Sequence, residues 1–328
     1  MEVSFEGVPV RSPYHFESQS VGYGRVANQV YHAMKRAGIN VEINRDSSPV
    51  RVQIDDPSFL VRVPGKYNIA FTTHESSELT PEWKQRVEQM DEVWTMSDWI
   101  AECFNQYTEK PCLVVPTCIS DVFSPVRREK SDPFVFLHTG EPTARKNGRM
   151  VFEAFVQEFG KHEDAKLVFK SYGNTSIPGL NLHDNIVVLG QDLSNEKYRD
   201  LLYRSHCLVY PSTACGGGMM PLEAMATGMP VISTWEWADY RDYISLRLES
   251  QLVETPDYIK ETAPQLLGQV FLTSVESISQ QMRLVYEDYS HYEQLYWQQS
   301  QNIVQEYNWD RVVQERIVPR LRELEGQL

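Results

Sequence analysis

One stretch, Cys207 to Ile232, constrains the fold more than any other. Cys207–Tyr210 is apolar and reads as a strand. Pro211-Ser212-Thr213-Ala214-Cys215 leads from it into a triple glycine, Gly216-Gly217-Gly218. A short helix is expected from near Pro221 to Gly228, and Pro230-Val231-Ile232 opens the next strand. Pro221 suits a first helical position and Gly228 a C-terminal cap. Glycines at the mouth of a helix let backbone N–H groups approach an anion, which the helix dipole also favours. Glu223 is expected in the first turn. There its carboxylate either meets a ligand hydroxyl or complements the dipole.

The rest of the chain has the same rhythm. A strand near Val3–Phe5 leads to a glycine-bearing loop, Ser18 to Arg25 (with Gly22-Tyr23-Gly24), and then to a helix. Val26, Val30, Ala33, Met34 and Ala37 make one apolar face of that helix, and Gly38 ends it. Strands are expected at Asn40–Ile43, Tyr67–Thr73, Glu92–Met96 and Leu113–Pro116. His74-Glu75 follows the second of these, Pro81 opens a helix, and Ser97-Asp98 caps another. Asp121 to Pro133 is polar and proline-bearing, which suits a linker. Beyond it, strands at Phe134–His138, Leu167–Lys170, Ile186–Leu189, Cys207–Tyr210 and Val231–Thr234 alternate with helices at Asn147–Phe159 and Asn195–Ser205. The chain from about Val275 is mostly helical. Strands separated by helix-length segments imply parallel sheets covered on both faces.

With 328 residues the chain is long enough for two such domains. No apolar run approaches the ~18–20 residues of a membrane span, and Met1–Glu6 lacks the basic and apolar regions of a secretory signal. Five cysteines with no paired spacing indicate neither a disulfide framework nor a zinc site. A cytoplasmic location is therefore expected. A net charge of −14 makes the chain a poor non-specific ligand for nucleic acid or anionic lipid.

Pro221-Leu222-Glu223-Ala224-Met225-Ala226-x-Gly228-x-Pro230-Val231-Ile232 resembles the donor-site motif of retaining GT-B glycosyltransferases of family 4, the group 1 glycosyl transferases. Gly22-Tyr23-Gly24-Arg25, Val115-Pro116, Phe123-Ser124-Pro125, His138-Thr139-Gly140, Arg145-Lys146-Asn147-Gly148 and Tyr307-Asn308-Trp309-Asp310 are similar to further stretches of that family. The resemblance implies an α/β GT-B fold: two Rossmann-like domains, parallel sheets facing a central cleft, and a C-terminal helix crossing back to the N-domain. The domains would be an acceptor-side unit at 1–128, a nucleotide-sugar-binding unit at 133–300 and the returning helix at 301–328. It implies transfer of a hexose or pentose from a nucleotide-diphosphate sugar, with no metal and no other cofactor.

Carried onto this chain, the resemblance assigns the diphosphate to Arg145 and Lys146, with Asn147 capping the following helix. It assigns donor contacts to Gly22, Tyr23, Gly24, Gly190, Cys215, Gly216, Gly217, Gly218 and Met219, with Glu223 on the ribose. Glu75 matches an acidic position of a subset of the family, while His74, by its place at the end of its strand, is expected to touch the acceptor or the donor sugar, so that one of the two lies near the acceptor. Trp235-Glu236-Trp237 follows a strand and is read as contacting substrate or packing in the core. In the mechanism usual for the family, the leaving phosphate deprotonates the acceptor on the same face. Two positions depart from the family. Cys215 stands where the first of two glutamates is usual, and Glu141 where an arginine is usual. The acceptor is expected to be soluble: a glycan, a protein, a small molecule or a modified DNA base, the last disfavoured by the acidic total. A GT-B-like nucleotide-sugar epimerase and a donor-binding but inactive module are the alternative readings.

Overall fold

The computed structural model describes residues 1–7, 22–140, 143–160, 164–171 and 183–328. Ser18 to Val21 of the first glycine-bearing loop and the departure at Glu141 lie outside these. The chain divides into two compact units, Met1–Ser120 with Gln305–Leu328, and Asp121–Val304.

Unit 1 contains β1 (Glu2–Gly7), α1 (Gly22–Arg36), β2 (Asn40–Ile43), β3 (Val50–Ile54), β4 (Tyr67–Phe71), α2 (Pro81–Glu88), β5 (Glu92–Thr95), α3 (Asp98–Asn105) and β6 (Cys112–Val114). Its sheet has the order β2-β1-β3-β4-β5-β6 and is parallel throughout. Thr80 and Ser97 cap α2 and α3 by accepting from Trp83 N and Ile100 N. Leu60, Leu79, Trp83, Val87, Val93, Ile100 and Phe104 form a core over one face.

Unit 2 continues with β7 (Phe134–Thr139), α4 (Gly148–Phe159), β8 (Ala165–Lys170), β9 (Ile186–Leu189), α5 (Asn195–Tyr203), β10 (Cys207–Tyr210), α6 (Met219–Ala226), β11 (Val231–Ser233) and β12 (Leu246–Arg247). Then come β13 (Ser250–Glu254), α7 (Asp257–Lys260), β14 (Gln269–Thr273), α8 (Val275–Glu287) and α9 (Tyr289–Glu306). The main sheet has the order β12-β11-β10-β7-β8-β9, again parallel. β13 and β14 pair antiparallel in a separate two-stranded sheet. Phe134, Phe136, Phe155, Phe159 and Tyr289 fill the space between the sheet and its helices.

The last segment, α10 (Trp309–Val312), a π-helical turn (Val313–Ile317) and α11 (Val318–Glu325), belongs to unit 1. Trp309 Nε1 donates to Gln29 of α1 at 2.6 Å, and Arg36 of α1 pairs with Asp310 at 2.7 Å.

Sheet order points to a site. From β7 the chain of unit 2 builds outward through β8 and β9, then returns to lay β10, β11 and β12 on the other side. The reversal falls between β7 and β10. Open parallel sheets take ligands beyond the strand C-termini at such a reversal, because loops diverge there and leave a crevice.

Candidate active site

Two loops leave the sheet of unit 2 at that reversal. One follows β7 and contains a 3₁₀ turn, Ala144–Lys146. The other follows β10 and ends in the triple glycine. They bring Lys146 to residue 215, distant in sequence. Lys146 is buried, and its Nζ donates to Tyr210 Oη at 2.9 Å, Ser212 Oγ at 3.1 Å and Cys215 Sγ at 3.7 Å. Tyr210 Oη lies 3.5 Å from Cys215 Sγ, and burial, reinforced by that thiol, keeps the phenol protonated. Arg145 reaches the same loop, donating from a terminal nitrogen to Ala214 O at 3.4 Å. The Lys146 stem packs over Gly140, whose φ of +150 continues the β7 exit.

The glycine loop enters α6 through Gly218, the residue of the three in the left-handed region, at φ 62 and ψ 45. A side chain is excluded there, because a Cβ would collide with Tyr240 Oη and the Trp237 ring. Tyr240 also donates a short hydrogen bond to Gly218 O. Trp237 is buried and donates to Thr234 Oγ1 at 3.0 Å. Of the pair read as substrate-facing or core, Trp237 is therefore core, and it forms the wall behind the loop. Trp235 is half-buried beneath the Arg247 guanidinium, 4.3 Å from its ring centroid.

Two local expectations are corrected. Helix α6 begins at Met219, so Pro221 is its third residue and Glu223 its fifth, beyond the first turn. The left-handed Gly218 starts the turn early, and proline is tolerated because N–H groups of the opening turn have no partner within the helix. Glu223 is buried, 1% exposed. Asn147 does not cap α4 through its side chain. It adopts φ 54 and ψ 30, and its amide donates across the site to Pro211 O at 2.8 Å and Thr213 Oγ1 at 2.6 Å.

Gly216 is buried, and Gly217 and Met219 are half-buried at the mouth of α6. Gly190 follows β9 at the sheet's outer edge, three strands from β10. A cation passed over in the sequence is Lys170, at the end of β8 beside the β7 exit. It is buried, its carbonyl accepts from Gly140 N at 3.1 Å, and burial lowers its pKa against the pull of Asp192. A lysine closing an apolar strand, Leu167-Val168-Phe169-Lys170, was the available signal.

In unit 1, Gly22, Tyr23 and Gly24 are the first turn of α1 rather than a loop. Tyr23 Oη accepts from Thr73 N at 3.2 Å, tying that turn to the end of β4, and burial raises its pKa. His74 is buried after β4. Its Nε2 stands 2.9 Å from Glu78 O and 2.8 Å from Ser76 Oγ, with the ring edge-on to Trp83. Burial lowers its pKa, so it stays neutral. Glu75 beside it is half-buried. Among the described residues no three of His, Cys, Asp and Glu are placed to hold a metal ion, and no helix is long and apolar enough to cross a membrane.

Two parallel-sheet units of this topology have the GT-B fold seen in glycosyltransferase structures. Residues 133–268 match the family model for glycosyl transferases group 1. Over 109 residues, 31% of the chain, the sequence is 31% identical to an uncharacterized glycosyltransferase of Methanocaldococcus jannaschii, and the match spans about a quarter (26%) of that relative. Among solved structures, sucrose-phosphate synthase from Thermosynechococcus elongatus aligns over all of this chain and 99% of its own, with 13% identity and a TM-score of 0.74. Anabaena HepE, solved with UDP and glucose, aligns over 98% and 99% with 11% identity and a TM-score of 0.64.

Proposed function

We propose that this protein is a retaining glycosyltransferase of the family 4 type that moves a sugar from a nucleoside-diphosphate sugar to a soluble acceptor. The observation that carries this reading is the convergence at one strand reversal. Lys146 arrives from the β7 side, the glycine loop and Glu223 from the β10 side, and Lys146 Nζ lies 3.7 Å from Cys215 Sγ. The family match at 133–268 covers all of these residues. HepE was solved with UDP and glucose, so uridine donors are the first to try. No disulfide joins any of the five cysteines, which suits the reducing cytoplasm.

In this reading Lys146, Arg145 and the N-terminus of α6 offset the charge growing on the departing diphosphate. Glu223 accepts hydrogen bonds from the ribose hydroxyls, and residue 215 faces the sugar. The leaving phosphate takes the acceptor proton on the same face, so no protein nucleophile and no metal take part. Glu75 lies on the acceptor side, and the bonds of His74 to Glu78 and Ser76 suit a neutral residue that shapes the loop around it.

The test is incubation with UDP-, GDP-, ADP- and dTDP-sugars and pooled acceptors, following nucleotide release and the mass of the products. The anomeric configuration of the product, read by NMR, decides retention. Transfer with retained configuration is expected. Tight nucleotide binding without release or transfer would favour a donor-binding module, and no binding of any donor would end the reading.

A further inference from the structure

Thr213 is fully buried, and its three polar groups go to three elements. Its N–H donates to Arg145 O at 2.8 Å. Its hydroxyl accepts from Asn147 Nδ2 at 2.6 Å. Its carbonyl accepts from Phe271 N of β14 at 3.2 Å. The first two partners flank Lys146 on its 3₁₀ turn. The third belongs to the β13–α7–β14 segment.

That segment also packs on both loops. Ala214, next to Thr213, joins Ile259, Ala263, Leu266 and Val270 in one buried cluster, and Ala144 of the Lys146 turn lies against it. A three-residue turn has too few bonds of its own to hold one geometry. Asn147 in the left-handed region carries the steric cost of a residue with a Cβ. The two bonds from its amide to Pro211 O and Thr213 Oγ1 offset that cost and fix the turn to the glycine-loop strand exit.

We propose that Thr213 and Asn147 are positioning residues for the donor, joining the Lys146 turn to the glycine loop, with the β13–α7–β14 segment as their backing. The proposal rests on the reading that this pocket binds a nucleoside-diphosphate donor. Neither residue is assigned a donor contact. Their bond keeps the Lys146 ammonium at residue 215, so the cation and the loop N–H groups meet a diphosphate as one preformed surface. Preorganisation of this kind raises affinity by removing the cost of ordering the loop on binding.

Thr213→Val keeps the shape and both backbone bonds and removes only the hydroxyl. Thr213→Ser restores it. Asn147→Gly keeps the left-handed backbone and removes the amide. Hydrogen exchange followed by mass spectrometry on the ligand-free protein reads the junction itself. Thr213→Val is expected to speed exchange in both 143–148 and 213–218, with β7 and β10 unchanged, and Thr213→Ser to match the parent. Calorimetry with UDP, GDP, ADP and dTDP reads the consequence. For the diphosphate that binds the parent, Thr213→Val should weaken binding about tenfold, as loss of one buried bond implies, and Thr213→Ser less than about twofold. The Thr213→Val/Asn147→Gly double variant should lose no more than Asn147→Gly alone, because removing the Asn147 amide already removes the bond to Thr213.

Parent-like exchange in Thr213→Val would overturn the junction. Faster exchange with unchanged diphosphate affinity would overturn its positioning role. If the parent binds none of the four diphosphates, the donor reading and the positioning role fall together, while the exchange data still decide the junction.

Discussion

Arg320 of α11 grips the carboxylate of Glu92, which is wholly buried at the start of β5. Its Nε lies 3.1 Å from both oxygens and a terminal nitrogen 2.9 Å from one of them. The same carboxylate accepts from Trp94 Nε1 at 2.8 Å and Tyr67 Oη at 3.0 Å. Burial and the charge of Glu92 push the Tyr67 phenol up to about 12. The sheet of unit 1 is thus closed by a residue that comes from near the end of the chain.

Arg320→Met is expected to destabilise unit 1 by about 3 kcal/mol, because it leaves a buried carboxylate without its cation. Glu92→Gln in the same chain should recover part of the loss, since a neutral amide needs no counter-charge. Urea unfolding of the two single variants and the double variant checks this. A double variant no more stable than Arg320→Met would show that the pair is not what holds α11.

Gly218→Ala should abolish the native arrangement of the glycine loop. The new methyl would meet Tyr240 Oη and Trp237, both large and buried, at a backbone conformation that also disfavours alanine. A loss of about 3 kcal/mol or more is expected. Thermal unfolding measures it, and a near-neutral result would mean that the Trp237 wall can retreat.

Stability should fall as pH drops from about 6.5 to 4. His138, His206 and His74 are all held below the ordinary histidine range by burial, His138 at about 4. His138 donates from Nδ1 to Val209 O at 2.9 Å, while Nε2 faces Gly148. His206 accepts from Val135 N through Nδ1 at 2.9 Å, a bond that protonation removes. In the unfolded chain each titrates near ~6.5, so within this window the unfolded state binds more protons. The stabilisation is fully present above ~6.5 and is lost as pH falls through the window, with His138 contributing about 3 kcal/mol. Unfolding at a series of pH values should show this slope, and His138→Gln should flatten part of it. Identical slopes in parent and variant would refute the assignment to His138.

Lys146→Ala should reduce turnover more than donor affinity, and Glu223→Ala the reverse. Charge on the diphosphate grows in the transition state, whereas ribose contacts are alike in ground and transition states. Losing a charged hydrogen bond to ribose is worth about 1.5–3 kcal/mol, at least tenfold in binding. Steady-state kinetics with the donor found by screening separates the two effects. Equal effects of both variants on kcat and KM would reject the division of roles.

The alternation of strands and helices in both halves was legible because the core-facing strands are simple apolar runs such as Phe134–Leu137 and Cys207–Tyr210. Strand β3 was not. Arg51 and Gln53 interrupt its apolar residues, yet both are buried. Arg51 is paired with Glu6 at 2.6 Å, and Gln53 donates to Phe59 O at 2.7 Å. Such partners, one of them 45 residues away, are invisible to periodicity. The β13–β14 pair was missed because its apolar runs, Leu252-Val253 and Val270-Phe271-Leu272, are short, flanked by polar residues and mostly only partly buried, so neither shows a periodic signal. At the site, the residue types around Lys146 and Glu223 were readable. The role of Asn147 was not, because a side chain that stands in sequence where a helix cap belongs turns instead to loop residues 64 and 66 positions away.

The split make-up of unit 1 has a consequence for how the protein is made. Glu92 leaves the ribosome 228 residues before Arg320, which at ~5–20 residues per second is a delay of roughly 10–45 s. Through that interval the first sheet carries a buried acid with no counter-charge, while unit 2, contiguous in sequence, is synthesised whole. The second unit of the chain is therefore the first able to finish folding, and a nascent chain halted before α11 should hold a settled unit 2 and an unsettled unit 1.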